Sequence, residues 1–177
     1  IHSMLYYTKN ATNLQEDFLT NMFGCTSIPL DANSQRNAFN RLIIDTLGTD
    51  CSYNIIKNIH EILNDKIEEF KDTPEPLEIG KQDILQLFED SGVPNSRIEN
   101  FDQTYDETIG QHTTLLATNI TNPKIFNIET PDIVVKVNPG AVDLVKTQVI
   151  DGRQCLVIAI NDHLEVNGID ILSTKKF

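Results

Sequence analysis

Near residue 111 the apolar residues of this 177-residue chain change their repeat, from every third or fourth position to every second. The two repeats belong to different structures, because a helix collects positions i, i+3 and i+4 on one side whereas a strand collects i, i+2 and i+4 on one face. Helical patterns come first and strand patterns follow without alternating, which predicts an α+β fold and not the parallel sheet of a βαβ chain. We expect an N-terminal bundle of about five helices over 1–110 and an antiparallel sheet of hairpins over 111–177, the two forming one compact unit. With 40% hydrophobic residues the chain has enough apolar surface for one sizeable core or two small ones.

Five helices are predicted. The first covers about Asn13 to Phe23, with Leu14, Phe18, Leu19, Met22 and Phe23 as its stripe and Gly24 as its stop. The second follows Asp31 as cap and carries Phe39, Leu42, Ile43 and Leu47 before Gly48. The third starts near Ser52 and aligns Ile56, Ile59, Leu63, Ile67 and Phe70 on one face, leaving Lys57, Asp65, Glu68 and Glu69 in solvent. Pro74 and Pro76 then force an extended linker, because a residue before proline avoids the α region. A short fourth helix carries Ile84, Leu85, Leu87 and Phe88 and ends at Gly92. The fifth follows Pro94, with Ile98, Phe101 and Tyr105 turned inward.

Beyond Gln111 the β-branched residues dominate and the pattern alternates. Asp151-Gly152 separates Lys146–Ile150 from Gln154–Ile160, and Asn167-Gly168 separates Leu164–Val166 from Ile169–Ile171. Both dipeptides accept the positive φ pair of a type I′ turn, so both mark hairpins.

Charge narrows the function. The chain carries 14 Lys+Arg against 26 Asp+Glu, a net charge of −12, which repels phosphate backbones and anionic membranes. Residues 1–110 hold 8 basic and 19 acidic groups, whereas residues 111–177 hold 6 and 7, so the β part is nearly neutral. Lys124, Lys136, Lys146 and Arg153 either form a small basic strip or protect sheet edges. Cys25, Cys51 and Cys155 are widely spaced and odd in number, which points to a reducing, cytoplasmic setting without disulfides or zinc. No apolar run reaches the roughly 18 residues of a membrane span. The start at Ile1 is read as the edge of an excised piece, the C-terminal part of a longer protein.

Candidate chemistry is sparse. Asp162 and His163 could together hold a metal or move a proton, although a solvated turn explains them more simply. Glu99, Asp102 and Asp106 stand at i, i+3 and i+7, so one helix side could present three carboxylates to a hard cation or merely to water. His60 is expected at the boundary of the apolar face of the third helix. Asp31 to Gln35 begins like a calcium loop and fails at Arg36, where such a loop needs glycine. Gly24-Cys25-Thr26 reads as a helix end with a buried thiol. There is no GxSxG elbow and no glycine-rich phosphate loop, so no catalytic residues and no cofactor are expected.

The segments IHSMLYYTKN, YNIIKNIHEILN, EDSGVP, TPDIVVKVNP and VIDGRQCLVIAINDHLEVNGI resemble an uncharacterised, DUF4317-like family of clostridial and related Firmicute proteins over essentially the whole chain. That resemblance implies a cytoplasmic bacterial protein about twice this length or more, and no activity. A more distant likeness lies in the order of elements: a helix ending in a phenylalanine-rich Phe-Gly-Cys turn over Phe18 to Cys25, two further helices, an acidic-polar linker into a small helix over Glu75 to Phe88, an aromatic helix with Phe101 and Tyr105, and hairpins around Asp151-Gly152. That order is similar to the C-terminal part of the 37-kDa bacterial nucleoid-associated family.

The leading expectation is a non-enzymatic interaction or assembly module that meets its own N-terminal half, another protein or another copy of itself, with a nucleoid-associated role as one form of that reading. The rival is a metal-dependent hydrolase or other enzyme built on Asp162 and His163 and completed by the missing N-terminal half. Direct nucleic-acid binding by this piece alone, and membrane binding, are disfavoured by its charge.

Overall fold

The computed structural model describes residues 30–171. The first expected helix, with Gly24 and Cys25, and also His2, therefore lie outside the described residues.

Helix α1 (Ala32–Leu47) starts where Asp31 Oδ1 accepts the free N–H groups of Asn33 and Ser34 at 2.8 and 3.0 Å. It ends at Gly48, whose φ of 52° suits a residue without a Cβ. Its inner face buries Phe39, Leu42, Ile43 and Leu47, as the spacing predicts. Helix α2 (Tyr53–Glu69) is capped by Ser52, whose hydroxyl accepts from Ile55 N–H. Ile59 and Leu63 are fully buried, with Ile55, Ile56, Ile62 and Ile67 packed at the flank.

Two residues of the third-helix expectation are corrected. Phe70 caps the C-terminus of α2 and is 47% exposed, because the helix ends before its ring reaches the core. Lys57 is not in solvent: its Nζ lies 2.5 Å from Asp143 Oδ1 and 3.7 Å from Glu61 Oε2, tying α2 to a 3₁₀ segment (Pro139–Leu144) 86 residues away.

The linker is not extended throughout as expected: Thr73 N–H donates to Phe70 C=O at 3.0 Å, so the chain turns over residues 70–75 before it reaches strand β1 (Glu78–Ile79). Helix α3 (Lys81–Asp90) follows, and Asp83 accepts the N–H of Gly80 at 2.8 Å, one arm of a capping box. The expected fifth helix is two: α4 (Asn95–Ile98) and α5 (Phe101–Thr108), interrupted at Glu99 and Asn100. Phe101 and Tyr105 are still buried, and Phe101 meets Phe88 edge to face at 5.6 Å.

Strand β2 (Leu115–Leu116) pairs antiparallel with β1, Ile79 opposite Leu115, closing α3 to α5 into one loop. Helix α6 (Ala117–Ile120) follows directly. Leu115, Ala117 and Ile120 all join the helical core although they come after the change of repeat.

The rest is antiparallel hairpins, as expected, but among the described residues they form separate two-stranded ladders and no continuous sheet. Strands β3 (Phe126–Glu129) and β4 (Val134–Val137) turn Phe126, Ile128, Val135 and Val137 to one face. These residues form a second cluster with Val142, Val145 and Tyr53 of α2. Strands β5 (Val145–Ile150) and β6 (Arg153–Ile158) meet at Asp151-Gly152, and β7 (Leu164–Val166) and β8 (Ile169–Ile171) meet at Asn167-Gly168. All four turn residues have positive φ, between 50° and 79°, the type I′ geometry read from sequence. Among the described residues no helix is long and apolar enough to cross a membrane.

Candidate functional site

The residues singled out in the sequence are scattered over the described residues. Asp162 and His163 occupy the connection between β6 and β7, with 95% and 69% of their side chains exposed and 3.7 Å between Oδ2 and Nδ1. At that exposure water screens the pair from each other. Glu99 caps the end of α4 and Asp102 opens α5, so the break between the helices takes Glu99 off the face it was expected to share. Asp106 instead faces α3, where Lys81 Nζ lies 2.5 Å from its Oδ1. No three His, Cys, Asp or Glu side chains converge among the described residues. Asp31, at the head of the supposed calcium loop, spends its carboxylate on the α1 cap and on the Ser34 hydroxyl at 2.7 Å, and these hydrogen bonds hold its pKa below 3.8.

Asp106 does border a hollow of 310 Å³ with Lys81, Tyr105 and His112. Lys81 sits over the Tyr105 ring, 5.4 Å from its centroid, and the buried phenol donates to Thr113 C=O at 2.5 Å. Burial, then the nearby Asp106 and Asp83, raises the Tyr105 pKa above 10.0. His112 is held at φ 61°, beside Gly110 at 108°. Lysine and aspartate neutralise each other here and the phenol is committed, so the groups mainly lock the α5–β2 loop onto α3.

A second cleft, of 220 Å³, lies between α1, α2 and the chain that leads from α6 into β3. Helical spacing places Arg36 and Asn40 on one wall and His60 and Asn64 on the other, each pair one turn apart. Thr121 comes from the connecting chain and Asn127 from β3, and Ile56, Ile120 and Phe126 give the cleft an apolar floor. The buried Thr121 hydroxyl lies 2.8 Å from His60 Nδ1 and donates to Asn64 Oδ1 at 3.3 Å. An amide oxygen only accepts, so the hydroxyl proton points to Asn64 and the imidazole supplies the proton on Nδ1. The lone pair of His60 is therefore on Nε2. The ring stands edge-on to Phe126 at 5.9 Å, and burial pushes its pKa below 6.5, so it is neutral at pH 7. The expectation of a half-buried boundary histidine holds, but the cleft was not foreseen. The two i, i+4 polar pairs, Arg36/Asn40 and His60/Asn64, do not stand out in sequence, because both helices carry many other polar residues.

The third feature is a surface. In β7–β8 the pairing sets Leu164 opposite Ile171 and Val166 opposite Ile169 on one face, and Glu165 opposite Asp170 on the other. The four aliphatic side chains are between 39% and 66% exposed. Leu156, Ile158 and Ile160, along β6 and just beyond it, are exposed aliphatic residues as well. The basic strip is divided: Lys146 and Arg153 stand toward opposite ends of one face of β5–β6, and Lys136 belongs to another hairpin.

An α+β chain with helices first and hairpins last, and a surface of exposed aliphatic residues, is the class of protein these features define. The chain belongs to the family described as Domain of unknown function (DUF4317), which matches residues 1–169. No curated protein and no solved structure matches it, and nothing supports the likeness to the nucleoid-associated family.

Proposed function

We infer that this chain is an interaction and assembly module that associates with a second copy of itself through the apolar face of the β7–β8 hairpin. The observation that carries the reading is the row Leu164, Val166, Ile169 and Ile171, all on one face and all exposed. A two-stranded hairpin of three-residue strands is marginal in water unless its face is packed. None of these four side chains joins either apolar cluster of the described residues. Contiguous aliphatic patches of this kind mark contact surfaces on proteins.

A second copy is the occupant that charge favours. The helical part carries 8 basic against 19 acidic groups and would repel its own image, whereas residues 111–177 carry 6 against 7. A two-fold contact of hairpin on hairpin stacks four aliphatic residues against four and leaves Glu165 and Asp170 on the outer faces, in water. An acidic nucleic-acid backbone fits neither the apolar face nor the divided lysines.

Size-exclusion chromatography with light scattering tests this, on the protein and on the double variant Val166→Lys, Ile169→Lys. We expect a dimer that becomes monomeric in the variant, with an unchanged far-ultraviolet spectrum. A monomer across the accessible concentration range overturns the reading, and means that the face is covered from within the chain or by a foreign protein.

A further inference from the structure

The His60 cleft shares no lining residue with the apolar face of the β7–β8 hairpin. Although Asp+Glu outnumber Lys+Arg by 26 to 14 in the chain, no Asp or Glu lines this cleft among the described residues. Its one formal charge is Arg36, whose Nε donates to Asn119 C=O at 3.2 Å, which fixes the guanidinium at the rim and leaves its terminal nitrogens for another acceptor. None of the ion pairs among the described residues uses Arg36.

Opposite it, His60 Nε2 is a hydrogen-bond acceptor whose direction is fixed through Nδ1 by Thr121 and Asn64, and no described group occupies it. Such a relay, in which one ring nitrogen is tied so that the other is presented, is how proteins orient an imidazole toward a bound group. Asn40 and Asn127 add carboxamides that can donate or accept, and Ile56, Ile120 and Phe126 supply apolar contact for the body of a small molecule. A concave site with an apolar floor and a few convergent polar groups has the composition of a ligand pocket.

We propose that this cleft binds a small organic oxyanion that also bears an N–H or O–H group, its anionic end on Arg36 and its donor on His60 Nε2. Carboxylate and phosphate share the chemistry that a guanidinium recognises, so the experiment separates them. The imidazole nitrogens of the ¹⁵N-labelled protein are followed by NMR at pH 7.5 during titration with four probes. These are 4-hydroxybenzoate, uridine 5′-monophosphate, uridine without an anion, and inorganic phosphate without the donor-bearing body.

We expect a saturable shift of His60 Nε2 with 4-hydroxybenzoate or with the nucleotide, the responsive probe naming the anion, and at least a ten-fold weaker response in Arg36→Gln. Arg36 is exposed, so that variant folds, and an unchanged amide spectrum away from the cleft verifies it. His60→Gln should abolish binding of the same probe, read on the Asn64 and Asn127 side-chain amides. Silence of both donor-bearing anions at millimolar concentration overturns the proposal. So does a response that Arg36→Gln leaves intact, or one that inorganic phosphate or uridine reproduces in full.

Discussion

The side-chain oxygen of Gln35, near the start of α1, accepts the backbone N–H of Leu116 in β2 at 2.8 Å, while the amide nitrogen of the same side chain donates to Leu30 C=O at 2.8 Å. Gln35 is 8% exposed, so both bonds form largely away from water. One side chain thus joins the segment that enters the helical part to the short ladder that closes it. Replacement by Leu keeps the volume and leaves two backbone groups without partners, each at a cost of about 1–3 kcal/mol. We expect Gln35→Leu to lower the unfolding free energy by about 2–6 kcal/mol in urea and to speed exchange of the Leu116 amide more than that of amides in α2.

Tyr53 gives the opposite case. Its ring packs in the second cluster, edge to face with Phe126 at 6.1 Å, but its buried hydroxyl has no partner among the described residues. Burial also raises its pKa above 10.0. Removing an unsatisfied buried hydroxyl while keeping the ring removes a desolvation cost. Tyr53→Phe should leave stability unchanged or raise it by up to about 1 kcal/mol. A loss above about 1 kcal/mol in thermal or urea unfolding would show that the hydroxyl is bonded after all.

The Lys57–Asp143 pair is short, yet Asp143 keeps 85% of its side chain in water. The hydrogen bond that Lys57 donates to the Asp143 carboxylate raises the Lys57 pKa above 10.5, so its contribution is present at neutral pH and is lost only as pH rises through that raised value. Exposure discounts the strength, and pairs of this kind contribute about 0.2–1 kcal/mol. Asp143→Asn should therefore cost less than about 1 kcal/mol, and the cost should shrink in 0.5 M salt. A loss of several kcal/mol independent of salt would mean that the bond positions the 3₁₀ segment rather than merely attracting it.

His60 makes a prediction about pH. Its folded pKa lies below the ordinary 6.5 because burial disfavours the imidazolium. Between the two values the unfolded chain binds more protons, so stability rises with pH there and levels off above 6.5. Unfolding midpoints measured from pH 5 to pH 8 should fall on the acid side of 6.5, and His60→Gln should flatten that part of the curve. Equal slopes in protein and variant would place the proton uptake at another group.

Sequence made some of this legible because the cause was local. Asp31 and Ser52 cap helices through their own side chains, and Asp151-Gly152 and Asn167-Gly168 turn because of their own φ preferences, so each feature is encoded within a few residues. The break at Glu99 and Asn100 was hidden because the apolar period of Ile98, Phe101 and Tyr105 runs through it unchanged. The pairing of β1 with β2 joins residues 78–79 to 115–116, and two-residue strands carry too little period to be seen. For the same reason the change of repeat near residue 111 is not the limit of the helical core: Leu115, Ala117 and Ile120 are gathered into it by that ladder. The His60 cleft depends on Thr121, 61 residues further on, meeting a face of α2 that reads as a helix boundary.

The turn of the β5–β6 hairpin isolates a purely conformational cost. Gly152 has φ 75°, and an added Cβ would meet nothing within 4 Å, so substitution creates no clash. What remains is the left-handed backbone, which costs a residue with a side chain about 1–2 kcal/mol. Val145 at the base of β5 is buried in the second cluster, whereas the strand beyond it is exposed, so the penalty should be absorbed by fraying from the turn and not by global unfolding. Gly152→Ala should accelerate amide exchange near Ile150 and Arg153 by roughly five- to thirty-fold, the equivalent of that energy at 25 °C, while amides of α1 and α2 exchange as before. Uniform acceleration across the helices would mean that the hairpin and the helical core unfold as one cooperative unit.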